Sequence, residues 1–279
     1  MTRASESAGP PHRSGRSAAS GPRDWAGTHP VIGYLLLAYA FSWSSWGLAS
    51  LIGGAGAFVL VVVGGFGPPA AAAVMLRLTG RSLRDWGRSI LAWRVPWPFY
   101  AYALLLPLCV QLGVNIVLSV NGAEVDWAAL PDRLPGYAAS LVITAVLFGG
   151  MEEPGWRGYA LPLLQDLHRP AVATLLLGLA WGIWHVPLYG PAGFVVPLVL
   201  AFFYTWLYNR TGSVLLCILL HGGFTAAQDT LLLTADSATV DLTILSLYVL
   251  GAALLLAATR GRLGHPRGTD TDLRQETAR

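Results

Sequence analysis

Two adjacent carboxylates and a guanidinium stand in the run Met151-Glu152-Glu153-Pro154-Gly155-Trp156-Arg157-Gly158, inside an otherwise apolar stretch from about residue 137 to 164. An ionised group at the centre of a membrane span costs roughly 2.5 to 3.5 kcal/mol on insertion scales, so charges there are paired, face the bundle interior and mark a functional site. Neighbouring residues point about 100° apart around a helix, so Glu152 and Glu153 cannot share one target and imply two roles. Glu153 and Arg157 are four apart on one face, the spacing of an ion pair that lets Arg157 stay buried. That leaves Glu152 without a local partner, available as a general base toward water. Pro154 and the glycines Gly149, Gly150 and Gly155 weaken the helix around them, and backbone groups freed at membrane depth are tolerated where they are buried or line a wet cavity.

Two histidines in other apolar segments fit the same site. His185 lies in Trp181-Gly182-Ile183-Trp184-His185, with Trp181 one turn before it, and His221 lies in Leu220-His221-Gly222-Gly223-Phe224-Thr225. A lone intramembrane histidine is as often hydrogen-bonding glue between helices as a working group. The presence of the Glu-Glu-Arg cluster shifts that balance toward chemistry. Gly222 and Gly223 allow another backbone to come close beside His221.

The elements that must position these groups are membrane helices. The chain of 279 residues is 54% hydrophobic and 12% charged, with a mean hydropathy of +0.54, whereas soluble domains carry about 25% charged residues. The apolar runs predict an all-α, polytopic transmembrane bundle of about eight spans, at 31–52, 58–78, 97–120, 137–164, 171–189, 194–208, 213–233 and 242–259, the 194–208 run being the shortest. Counted at 1.5 Å per residue from the C-terminal end of the fourth span for Glu152, and from the starts of the fifth and seventh for His185 and His221, the three lie roughly 18, 21 and 12 Å from one membrane face and can converge. Cys109 and Cys217 sit in apolar runs and read as small membrane hydrophobes, without disulfide or metal spacing.

All 18 basic residues are arginine, in short blocks between apolar runs and without the aromatic interleaving of a nucleic-acid surface. Sixteen of them fall in connections that eight spans place on one side; on the other stands Arg133 alone, among Glu124, Asp126, Asp132, Asp236 and Asp241, and Arg157 lies inside a span. The positive-inside rule then puts both termini in the cytoplasm, for a multi-pass protein of a cell membrane, bacterial by expectation. Residues 1–30, rich in Ser, Gly, Pro, Ala and Arg, read as a disordered cytoplasmic arm; 31–259 form one membrane domain and 260–279 a cytoplasmic tail. Residues 81–93 mix Leu83, Trp86, Ile90 and Leu91 with arginines, the pattern of an amphipathic helix on the interface or of an anchored basic loop.

The order Glu-Glu-x-x-x-Arg, then aromatic-x-x-x-His, then His-x-x-x-polar, each on its own apolar helix, resembles the CPBP family, also called Abi, of intramembrane proteases related to the type 2 CAAX prenyl endopeptidase. The resemblance covers about residues 137 to 230. It implies a glutamate-dependent endopeptidase in which Glu152 and His185 activate water and His221 forms part of the oxyanion hole. The family has also been described as metalloproteases. Two positions depart from its pattern: Trp181 stands where Phe is common, a change that keeps packing beneath His185, and Thr225 stands where Asn is common, as partner of the oxyanion histidine. A hydroxyl is one donor on a shorter arm than an amide, and loss of an oxyanion donor costs roughly 2.7 to 4 kcal/mol. Gln228, a turn further along, could substitute.

The resemblance therefore implies hydrolysis of peptide bonds in membrane-associated or CAAX-like substrates, with the lipid bilayer and a peptide or membrane protein as partners and no cofactor expected. A zinc version stays open, with Glu152, His185 and His221 as its ligands, although the short His-Glu-x-x-His helix is absent. A different class is a catalytically weak or inactive member acting as an immunity or scaffold protein. A small transporter using the carboxylate and histidines as a proton relay is disfavoured, since the two halves show no matched pair of broken helices.

Overall fold

The computed structural model of the protein describes residues 21–234 and 239–266. The arm before residue 21, the tail after residue 266 and Asp236 lie outside the described residues. Among those described the chain is helical, without a strand, and the helices form a polytopic membrane bundle.

A short helix α1 (Pro22–Thr28) precedes α2 (Pro30–Ile52), so the disordered arm expected to reach residue 30 is already helical from Pro22; a proline at the first position and Asp24 in the first turn suit a helix start. α2 ends at Gly53, whose φ of +66° no ordinary side chain adopts readily. The second expected span is two helices, α3 (Gly54–Gly65) and α4 (Gly67–Leu78), bent 44° where Pro68 and Pro69 begin a new helix. Pro68 has no N–H for the carbonyl of Gly64 four residues back; Ser42 of α2 donates to that carbonyl instead, at 2.7 Å. A Cβ on Gly67 would lie 2.0 Å from Ser42 Oγ, so glycine there is what lets α2 and α4 cross at the break.

The amphipathic segment forms α5 (Leu83–Ile90), capped by Ser82, which accepts from the Asp85 N–H. Then come α6 (Trp97–Val120), α7 (Leu130–Val146), α8 (Glu153–Gly155), a π-helical turn (Trp156–Ala160), α9 (Leu161–Gln165), α10 (Pro170–Tyr189), α11 (Val195–Thr211), α12 (Val214–Thr230) and α13 (Val240–Thr259). Every expected span coincides with helix, but fewer than eight qualify as spans by length and apolarity. Five do, or six with the bent pair counted as one; α11 and α12 have 17 residues each, about 25 Å of helix, near the short limit for crossing hydrocarbon. The fourth span begins at Leu130, earlier than residue 137, and is broken rather than continuous. The seventh ends at Thr230 and not at residue 233, because Asn115 of α6 takes over the chain: its amide donates to the Leu231 carbonyl at 2.8 Å and its oxygen accepts from the Leu233 N–H at 3.1 Å.

The core gathers where α2, α4, α10, α11 and α12 enclose the broken fourth span, with Tyr34, Trp156, Trp181, Trp184, Tyr204 and Phe224 fully or almost fully buried. α2 is tied to α10 by hydrogen bonds from Tyr39 Oη to the Ala180 carbonyl (2.6 Å) and from Trp43 Nε1 to the Trp184 carbonyl (3.0 Å). Outward faces stay apolar and uncovered, as at Leu51, Phe58, Val120, Leu242 and Leu254, which suits a surface that meets lipid rather than water.

Candidate active site

The break in the fourth span builds the site. α7 stops at Val146, and the chain turns through Gly149 at φ +67° into a 3₁₀ turn, Gly150–Glu152. Pro154 lies in the first turn of α8, and the following turn is π-helical, a form concentrated at functional sites. The carbonyl of Pro154, at this junction, accepts from Trp86 Nε1 of α5 at 2.9 Å. α5 is therefore docked against the broken span, a role for Trp86 that its place among arginines did not reveal.

Glu152 and Glu153 diverge as their adjacency requires. Glu153 is fully buried and its Oε1 accepts both from Arg157 Nη1 at 3.0 Å and from His221 Nδ1 at 2.8 Å. The expected ion pair is present, but it also includes the histidine of α12. Arg157, likewise buried, lies 4.5 Å from the ring centroids of both Trp181 and Tyr204. Its Nε and Nη2 have no hydrogen-bond partner among the described residues, so ring faces do much of what water would do for the charge.

Glu152 takes its partner from another helix. Its Oε2 accepts from the indole N–H of Trp181 at 2.7 Å. The side-chain spacing within one helix could not show this, because donor and acceptor belong to different helices. The carbonyl of Trp181 in turn accepts from His185 Nδ1 at 2.9 Å. A carbonyl can only accept, so the His185 proton sits on Nδ1 and the lone pair of the neutral ring sits on Nε2. Trp184 and Tyr189 flank the ring at 4.8 and 5.7 Å between centroids.

These groups face one cavity of about 620 Å³, lined among others by Gly149, Glu152, Trp181, His185, His221 and Thr225. Gln228 and Asp229 of α12 and Asp241 of α13 line its far part. All three sit toward the ends of their helices that join the arginine-poor connections. A Cβ at Gly149 would lie 2.5 Å from His221 Nε2, so this glycine keeps that nitrogen clear. Thr225 lines the cavity as expected. Gln228 does as well, and its amide donates to Tyr248 Oη at 2.6 Å. Among the described residues, no three His, Cys, Asp or Glu side chains come together as a group that could hold a metal ion.

Fold and site together define a polytopic helical membrane protein with a buried carboxylate–histidine centre open to a cavity. Residues 134–227, the segment that carries all three motifs, match the family of type II CAAX prenyl endopeptidase Rce1-like proteins. The CAAX prenyl protease 2 of Methanococcus maripaludis is 28% identical over 177 residues, which cover 55% of this chain and 63% of that protein. The chain thus spans less than two thirds of that relative's length. Over this segment the chain is similar to CAAX prenyl proteases.

Proposed function

We propose that the protein is an intramembrane endopeptidase that hydrolyses peptide bonds with water activated by Glu152 and His185. The observation that carries this reading is the double use of Trp181: its indole holds Glu152 and its carbonyl holds His185, so one residue orients both groups toward the cavity. Glu152, or His185 Nε2, takes a proton from water as the oxygen attacks the peptide carbonyl, and the pair returns a proton to the leaving amine. His221 is held by Glu153 through Nδ1, and its Nε2 faces the cavity beside Gly149, the edge of the ring that the developing oxyanion would meet. Thr225 supplies a further hydroxyl on the same wall.

The relative's name specifies a prenyl protease acting on CAAX sequences; for this chain, peptides embedded in or bound to the membrane are the proposed substrates, with both termini on the cytoplasmic side. The test compares the membrane proteome of cells carrying the wild type with that of cells carrying Glu152→Ala. A peptide whose cleavage disappears in the variant supports the reading and identifies the substrate. Identical peptide profiles at equal protein levels would favour an immunity or scaffold role.

A further inference from the structure

A second cavity lies away from this site, at the end of the bundle where the arginine-rich connections meet. It measures about 710 Å³ and is lined by Phe99, Trp206, Asn209, Arg210, Thr259, Arg262, Gly264, His265 and Pro266. Among the described residues its lining contains two arginines and a histidine and no carboxylate. Among the described residues neither arginine is in an ion pair.

This cavity is built by a specific turn of the chain. After α13 the backbone does not run straight away from the bundle. It folds back through two non-glycine residues in the left-handed region, Arg260 at φ +51° and Leu263 at φ +47°, a conformation that costs about 1 to 2 kcal/mol per residue. Two contacts hold it there. Leu263 is fully buried, and its carbonyl accepts from the Asn209 amide at 3.0 Å. The result brings Arg262 alongside Arg210 at the end of α11, and the Arg210 stem packs so closely that a Cβ on Gly264 would lie 2.7 Å from it. Aromatic residues line it as well: Trp206 stands 6.0 Å from Phe99, and packs 4.6 Å from Tyr102 behind it, ring to ring. Arginines and aromatic rings lining one cavity match a phosphate ester carried on an apolar body. The adjoining surface is apolar too, with Trp97 at the start of α6 and Leu250 and Leu254 on α13 exposed.

We propose that this cavity binds the phosphate of an anionic phospholipid, held by Arg210 and Arg262, with the acyl chains lying against α6 and α13. A free phosphate ion shares the headgroup chemistry but would not use the apolar flank. The test places the full-length protein in nanodiscs of phosphatidylcholine with or without phosphatidylglycerol and counts lipids retained on release into detergent by native mass spectrometry. The wild type is expected to retain phosphatidylglycerol, with Arg210→Gln/Arg262→Gln binding it roughly tenfold more weakly or worse, and with 10 mM inorganic phosphate displacing little of it. Arg262→Gln alone, on the segment after α13, shows the same direction of change if the double variant does not fold. Equal retention by wild type and variants would overturn the proposal. So would displacement by phosphate alone, which would make this an ion site, or equal retention of phosphatidylcholine and phosphatidylglycerol.

Discussion

The indole N–H of Trp181 reaches from α10 to Oε2 of Glu152 in the broken fourth span, at 2.7 Å, with both residues buried. The same indole carries the Arg157 guanidinium on its face at 4.5 Å. A phenylalanine would keep the ring face and lose the donor. Trp181→Phe is therefore expected to leave the protein folded and to lower kcat about tenfold to a hundredfold, the loss of one hydrogen bond to a charged group, with KM little changed. Steady-state kinetics on a cleaved peptide check this, and an unchanged kcat would remove Trp181 as a positioning residue.

The two glutamates should separate by phenotype. Glu152→Gln abolishes cleavage while the protein stays in the membrane at wild-type amount. Glu153→Gln strands Arg157 and loosens His221, and removing one partner of a fully buried pair costs roughly 3 to 5 kcal/mol. Thermal unfolding in detergent and membrane abundance measure the second effect. A Glu153→Gln protein as stable as the wild type would contradict the shared role of that carboxylate.

Gly149→Ala tests the approach of His221. The added methyl would sit 2.5 Å from Nε2, at a residue whose φ of +67° already disfavours a side chain. Displacement of the ring on the order of 1 Å is expected to cost about a hundredfold in kcat. Nearly wild-type turnover would mean that His221 Nε2 is not used in the reaction.

Thr225 separates a working site from a silent one. A carboxamide there reaches further into the cavity and offers two donors, so Thr225→Asn is expected to raise kcat about tenfold with KM nearly constant, since a donor aimed at the oxyanion acts in the transition state. Gln228→Ala, which loses its bond to Tyr248 rather than an oxyanion contact, should lower stability more than kcat. A fall in activity for Thr225→Asn would show that the hydroxyl fits the pocket better than the amide.

Orientation is testable in a background lacking Cys109 and Cys217. A cysteine replacing exposed Asn121, after α6, should react with an impermeant maleimide outside intact cells, and one replacing exposed Arg88 on α5 should be protected. The reverse pattern would invert the placement of the termini.

The membrane class and the places of the helices were legible in the sequence because a long apolar run has few other ways to satisfy its backbone. The Glu153–Arg157 pair was legible as well, since an i,i+4 contact depends on one helix alone. Span number was less so: α3 and α4 are one apolar run with prolines that bend it by 44°, and α12 stops short because Asn115, on another helix, captures its last turn. What only the tertiary structure decided is every bond between helices. Glu152 looked partnerless because its donor lies 29 positions away on α10, and His221 looked independent because Glu153 is 68 positions distant. Sequence periodicity records which face of a helix is apolar, and it holds no record of which faces meet; those meetings are set by where a glycine such as Gly222 or Gly67 lets two backbones come close.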